Sequence, residues 1–133
     1  FELDQILESG YESPQVFSAL AYSSYAMKNV SESIDFLKKS LELDADNANA
    51  QNSMGYILVE ENIDVEEGLK YCRKAVNKNP ANPAYLDSLG WAYYKLGNIK
   101  DAQTYLRKAL DIAKKNRTIA GHMKTVLDYK KNH

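Results

Sequence analysis

The chain has 133 residues, of which 44% are hydrophobic and 26% are charged, and its formal net charge is −1. This length fits one compact domain or one short solenoid rather than two ordinary domains, and the composition excludes a disordered or fibrous chain. Only three prolines and six glycines interrupt a sequence rich in Ala, Leu, Lys, Glu and Asn, which predicts an all-α protein. No apolar run reaches the roughly 20 residues that a membrane-spanning helix needs, and both cytoplasm and periplasm remain open as compartments.

The first predicted element is a helix within residues 1–13. Leu3, Ile6 and Leu7 have the helical spacing and phase that recur later at Leu37, Ser40 and Leu41. We expect this segment to be the second helix of a preceding repeat in a longer parent protein, or alternatively an N-terminal capping helix.

Three similar units follow, over residues 14–47, 48–82 and 83–116. Two of them have 34 residues and the middle one has 35, with the extra residue within 60–63. Each unit contains two amphipathic patterns separated by a turn, which predicts a helix–turn–helix unit. Helices of about 13 residues are marginal alone in water, so each unit must be stabilised by its neighbours.

The second helix of every unit starts with the same local chemistry. An Asn or Asp cap is followed three residues later by an acid, as in a capping box: Asn29 and Glu32, Asp64 and Glu67, Asn98 and Asp101. Small residues also recur where helices must approach closely, since a larger side chain would separate the backbones. They are Ala21, Gly55 and Gly90, then Ser33, Gly68 and Ala102, and finally Ser40, Ala75 and Ala109.

These features, together with LGWAYYKLGN, YLRKALDIA and the pair Asn79-Pro80, resemble the tetratricopeptide repeat as found in many bacterial proteins. The resemblance is strongest in the third unit and weakest in the first. It implies a right-handed superhelical α-solenoid of three repeat units with flanking helices. It also implies that the first helices line a concave groove that binds peptides or partner helices.

The last predicted element is a capping helix and tail over residues 117–133. Ala120, Met123 and Leu127 are predicted to form its apolar face. Lys124 stands where the three units have Ala21, Gly55 and Gly90, and a long cation there opposes the packing of a further unit.

A row of aromatic residues is the candidate binding site. Tyr22, Tyr56 and Trp91 occupy equivalent positions of the three first helices, each directly after the small residue of close contact. By the family's geometry the row faces the groove, where aromatic groups beside polar ones suit capture of a peptide or an amphipathic helix. The predicted partner-binding residues are Ser18, Tyr22, Tyr25, Asn52, Tyr56, Asp87, Trp91 and Tyr94. The alternative is that the row only packs between helices, with Trp91 covered by the C-terminal helix.

One family subtype does not match these residues. Modules that clamp the C-terminal carboxylates of heat-shock chaperones use Lys, Asn and Arg at set groove positions. The equivalent positions here lack the cations, so this subtype is not expected: they hold Ser18, Tyr22, Ser53, Ala84 and Ser88.

Catalysis is not indicated by any motif. His122 and His133 belong to no metal-ligand pattern, Cys72 occupies an apolar core position, and no phosphate-binding glycine loop is present. We therefore predict a protein that is not an enzyme and that uses no cofactor or metal.

The charge distribution leaves other partners to consider. Residues 1–82 carry seven basic and 14 acidic side chains, whereas residues 83–133 carry ten basic and four acidic ones. The oppositely charged ends allow copies to stack head to tail, which makes a self-associating scaffold the alternative function. Nucleic-acid binding by the basic part is a further possibility, although solvated helix faces are the expected explanation of its charge. The basic residues are Lys95, Lys100, Arg107, Lys108, Lys114, Lys115 and Arg117.

Overall fold

The computed structural model describes residues 12–133, which contain seven α-helices and no strand. The helix predicted within residues 1–13 lies outside the described residues, apart from its last two positions. The helices are α1 (Pro14–Ala26), α2 (Val30–Leu43), α3 (Ala48–Glu60), α4 (Val65–Lys78), α5 (Pro83–Lys95), α6 (Ile99–Ile112) and α7 (Arg117–Asn132). The predicted all-α solenoid is therefore confirmed.

Local sequence explains where the helices begin. A side-chain oxygen just before every helix accepts a hydrogen bond from a backbone N–H of its first turn, which satisfies a donor that the helix leaves free. The caps are Ser13, Asn29, Asn47, Asp64, Asn82, Asn98 and Asn116. The predicted starts of the second helices at Asn29, Asp64 and Asn98 are thus confirmed.

The helices pack as consecutive pairs, α1 with α2, α3 with α4 and α5 with α6, and α7 packs on α6 and α5. Equivalent positions of the second helices form the centre of each pair, where Leu37, Cys72 and Leu106 are fully buried. Small residues bring the paired backbones together, as the sequence predicts. A Cβ on Gly55 would lie 2.6 Å from Sγ of Cys72 and 2.8 Å from the carbonyl oxygen of Gly68.

The buried face of α7 differs from the predicted one. Ile119, Met123 and Val126 are buried, whereas Ala120 is exposed and Leu127 is 42% exposed. Ala120 is equivalent to Phe17 and Leu127 to Tyr93, whose rings stack on Phe36 and Tyr105 of the second helix of the same unit. α7 instead uses the face that meets the preceding helices, so only Met123 of the predicted set is buried.

Candidate functional site

The first helices of the three pairs lie in the order α1, α3 and α5, and the aromatic row changes character along them. Tyr22 on α1 is 79% exposed, Tyr56 on α3 is half-buried, and Trp91 on α5 is only 9% exposed. Only the part of the row on α1 and α3 therefore presents a substantial surface to solvent.

Trp91 packs in a buried cluster with Val59 of the preceding helix pair, and α7 covers it further. The ring of His122 stacks on the indole with centroids 4.1 Å apart and an interplanar angle of 20°, and Tyr94 stacks at 4.9 Å. Nδ1 of His122 also lies 2.8 Å from Oδ1 of Asp87, which is 7% exposed. Asp87 and Trp91 are thus packed beneath α7, so the predicted open groove does not extend to these two residues.

Tyr94 lies at the edge of this covered region. Its ring packs on Trp91 and meets the ring of Tyr129 edge-on at 6.0 Å, and it stays partly exposed. Sequence reasoning missed His122 as part of this cluster. The available signal was its position 35 residues after Asp87, about one repeat length, because consecutive first helices lie next to each other.

Two carboxylates at the C-terminal end of α3 accept hydrogen bonds from aromatic side chains of the predicted site. The Tyr25 hydroxyl donates to Oε2 of Glu61 at 2.9 Å, and the Tyr56 hydroxyl donates to Oε2 of Glu60 at 3.2 Å. The indole Nε1 of Trp91 donates to Oε1 of Glu60 at 3.1 Å. Glu60 therefore links the open and the covered parts of the row.

Burial and the two carboxylates together raise the pKa values of Tyr25 and Tyr56. Burial and then the neighbouring Glu60 raise the pKa of Tyr56 to about 12. Burial and the hydrogen bond to Glu61 raise the pKa of Tyr25 far above its ordinary value. In both cases the neutral hydroxyl, which can donate to a carboxylate, is the favoured form. The sequence did not single out these acids, because it indicates their position on α3 but not which side chains meet them.

A pocket of about 240 Å³ lies between α1 and α3. Four of the predicted site residues line it together: Tyr22, Tyr25, Asn52 and Tyr56. Ala21, Leu37 and Ile57 form much of its apolar lining. Oδ1 of Asn52 is buried without a hydrogen-bond partner.

A second, shallower depression of about 470 Å³ adjoins the first across Tyr22. No charged side chain lines it, and its lining includes Ser18, Gln15 and Asn49. The Ser18 hydroxyl lies 3.1 Å from that of Ser40 on α2, so Ser18 is half-buried at the edge of the groove.

The cysteine and the possible metal ligands form no reactive site in the described residues. Cys72 is fully buried, and burial raises the pKa of its thiol to about 12, so the thiol stays protonated at neutral pH. Within residues 12–133, no three His, Cys, Asp or Glu side chains come close enough together to bind a metal ion. No helix in the described part of the chain has the length and apolarity required to cross a membrane.

Paired helices with small residues at their contacts and a groove formed by the first helices define a helical-repeat protein. Models of the tetratricopeptide repeat match residues 14–47 and 83–116. The chain belongs to the tetratricopeptide-repeat family.

Similar proteins include bacterial ones, in agreement with the sequence prediction. The chain is 45% identical over 65 residues to a TPR repeat-containing protein of Pseudomonas aeruginosa, a match that spans 49% of this chain and 11% of that protein. PilF of Pseudomonas aeruginosa has a similar fold, with a TM-score of 0.81, 22% identity and coverage of 98% of this chain and 59% of that one. The first TPR domain of Spaghetti, solved bound to an HSP90 peptide, gives a TM-score of 0.78 at 15% identity and covers 87% of this chain and 94% of that one.

Proposed function

We propose that this protein is a non-catalytic interaction module that binds an extended segment of a partner protein in the groove between α1 and α3. The observation that carries the proposal is the pocket formed by Tyr22, Tyr25, Asn52 and Tyr56, beside an aromatic ring that is 79% exposed. A tyrosine ring held on a rigid helix gives a large contact area with little loss of conformational entropy. The TPR domain of Spaghetti, which binds a peptide, supports this function by its similar fold.

The size of the pocket supports a peptide rather than a small molecule. Its volume of about 240 Å³ is below the roughly 300–1,000 Å³ of sites that enclose drug-sized ligands. A pocket of this size accommodates one large side chain, and the adjoining depression across Tyr22 allows the segment to continue along the groove.

The test is selection of binding peptides from a displayed library of random sequences, followed by measurement of their dissociation constants. Tyr22→Ala should weaken the selected peptides about tenfold or more, because it removes an exposed anchor of the pocket. Met27→Ala is the matched control, since Met27 is 82% exposed near the end of the same helix and lines neither pocket. Both variants should keep the far-UV circular dichroism of the parent protein. Selection of no peptides, or of peptides that bind Tyr22→Ala as tightly as the parent, would refute the groove as the binding site.

Self-association is the second candidate, and the charge asymmetry favours it. Residues 83–133 have a net charge of +6 and residues 1–82 of −7. Lys100, Arg107, Lys108, Lys114 and Lys115 are all exposed, so their charges are available to the acidic end of another copy. Sedimentation at low salt should show larger species that dissociate as salt is raised, because ions screen exposed charges. A monomer at low salt would exclude this candidate.

A further inference from the structure

The two carboxylates beside the groove lack a cationic partner among residues 12–133. The ion pairs of this part of the chain involve other acids, namely Asp46, Glu67, Asp87 and Asp128. Glu60 and Glu61 are held instead by hydroxyl and indole donors of Tyr25, Tyr56 and Trp91. Neutral donors orient a carboxylate but leave its negative charge in place, so the groove has a preorganised anionic edge.

The lining of the groove does not compensate this charge. Neither the 240 Å³ pocket nor the adjoining depression has a lysine or arginine in its wall. Lys95 lies over the ring of Trp91, 5.6 Å from its centroid, and makes no ion pair with either carboxylate. A cationic group of a ligand could therefore pair with Glu60 and Glu61 without displacing a lysine or arginine of the described residues.

The pocket and the carboxylates are connected by two tyrosine side chains. Tyr25 and Tyr56 line the pocket, and their hydroxyl groups reach Glu61 and Glu60 respectively. An apolar subsite and an anionic subsite thus lie about one tyrosine side chain apart. This spacing matches neighbouring side chains of a single peptide, one apolar and one long and cationic.

We propose that the groove selects a basic segment, in which a lysine or arginine lies against Glu60 and Glu61 while an adjacent apolar side chain fills the pocket. This inference rests on the proposed function, because it identifies the chemistry of the segment bound at that same groove. Charge complementarity of this kind selects partners and increases the association rate. An arginine is well suited to the pair, since its planar fork donates to two carboxylate oxygens at once.

The experiment uses the peptides selected on the parent protein. They should be enriched in lysine or arginine next to a large apolar residue, and their affinity should fall as salt is raised. Glu61→Gln keeps an acceptor for the Tyr25 hydroxyl but removes the charge, and it should weaken these peptides about five- to tenfold. Glu42→Gln is the matched control, because it removes one exposed charge from α2 and Glu42 lines neither pocket.

A double-mutant cycle identifies the contact. Replacing the basic residue of the peptide with glutamine should cost affinity for the parent protein and much less for Glu61→Gln. Trp91, the only tryptophan of the chain, supplies an independent signal. Its indole donates to Glu60, so a cation bound there should change its fluorescence.

The outcomes separate this inference from the function on which it rests. Peptides that depend on Tyr22 but show no basic enrichment, or that bind Glu61→Gln and the parent equally, would overturn the basic-segment inference and leave the groove function intact. Basic peptides that are insensitive to both Tyr22→Ala and Glu61→Gln would bind elsewhere and overturn both. If Glu61→Gln and Glu42→Gln weakened the peptides equally, the effect would be general charge attraction, and the inference would also be overturned.

Discussion

Gly55→Ala tests whether small residues determine the spacing of the helix pairs. The added Cβ would lie 2.6 Å from Sγ of Cys72, 2.8 Å from the carbonyl oxygen of Gly68 and 2.9 Å from the backbone N of Cys72. Two of these three atoms belong to the backbone of α4, so α3 and α4 must separate to accept the methyl group.

The expected magnitude combines two opposing effects. Alanine in a helix interior is favoured over glycine by about 1 kcal/mol. Overpacking a well-packed interface costs typically 1–3 kcal/mol, and the high end of that range applies because backbone atoms cannot rotate away. We expect a net loss of about 2 kcal/mol in the free energy of unfolding. This loss would lower the urea midpoint by about 1 M for an m-value near 2 kcal/mol/M.

Gly121→Ala is the matched control, because a Cβ at Gly121 in α7 would meet no atom within 4 Å. It should gain about 0.5–1 kcal/mol from helix propensity alone. Urea unfolding followed by far-UV circular dichroism and by Trp91 fluorescence measures both variants and checks that the array unfolds cooperatively. If Gly55→Ala were as stable as Gly121→Ala, close backbone contact would not be the reason that position 55 holds a glycine.

Two further predictions concern the core and the covered end of the row. Cys72 should not react with a thiol reagent in the folded protein at about pH 8, because burial raises its pKa to about 12. It should react fully in denaturant. Rapid reaction of the folded protein would contradict its buried position. His122→Ala should shift the emission of Trp91 to longer wavelength and destabilise the protein by about 1–3 kcal/mol, because it uncovers the indole and leaves the buried Asp87 without its partner. His133→Ala, at an exposed position, should do neither, and an unchanged spectrum of His122→Ala would contradict the stacking.

The aromatic row illustrates the limit of sequence reasoning for the site. Its repeat spacing correctly predicts that Tyr22, Tyr56 and Trp91 lie on successive first helices, because the period assigns equivalent positions to each unit. The spacing does not predict that the three side chains differ in exposure. That difference depends on the following first helix: His122 of α7 stacks on Trp91, whereas α3, which follows α1 in the same way, has the small Ser53 at the equivalent position beside Tyr22.

Local patterns in the chain are enough to predict the helices and the class of fold. Caps such as Asn29 act within a few residues and small residues such as Gly55 act within one repeat, so their pattern is visible in the chain. The groups that form the site depend on contacts between helices. Glu60 meets Trp91 across 31 residues, and His122 meets Asp87 across 35. Such contacts depend on side-chain direction and on how neighbouring helices rotate against each other, and a linear pattern of residue types does not specify either.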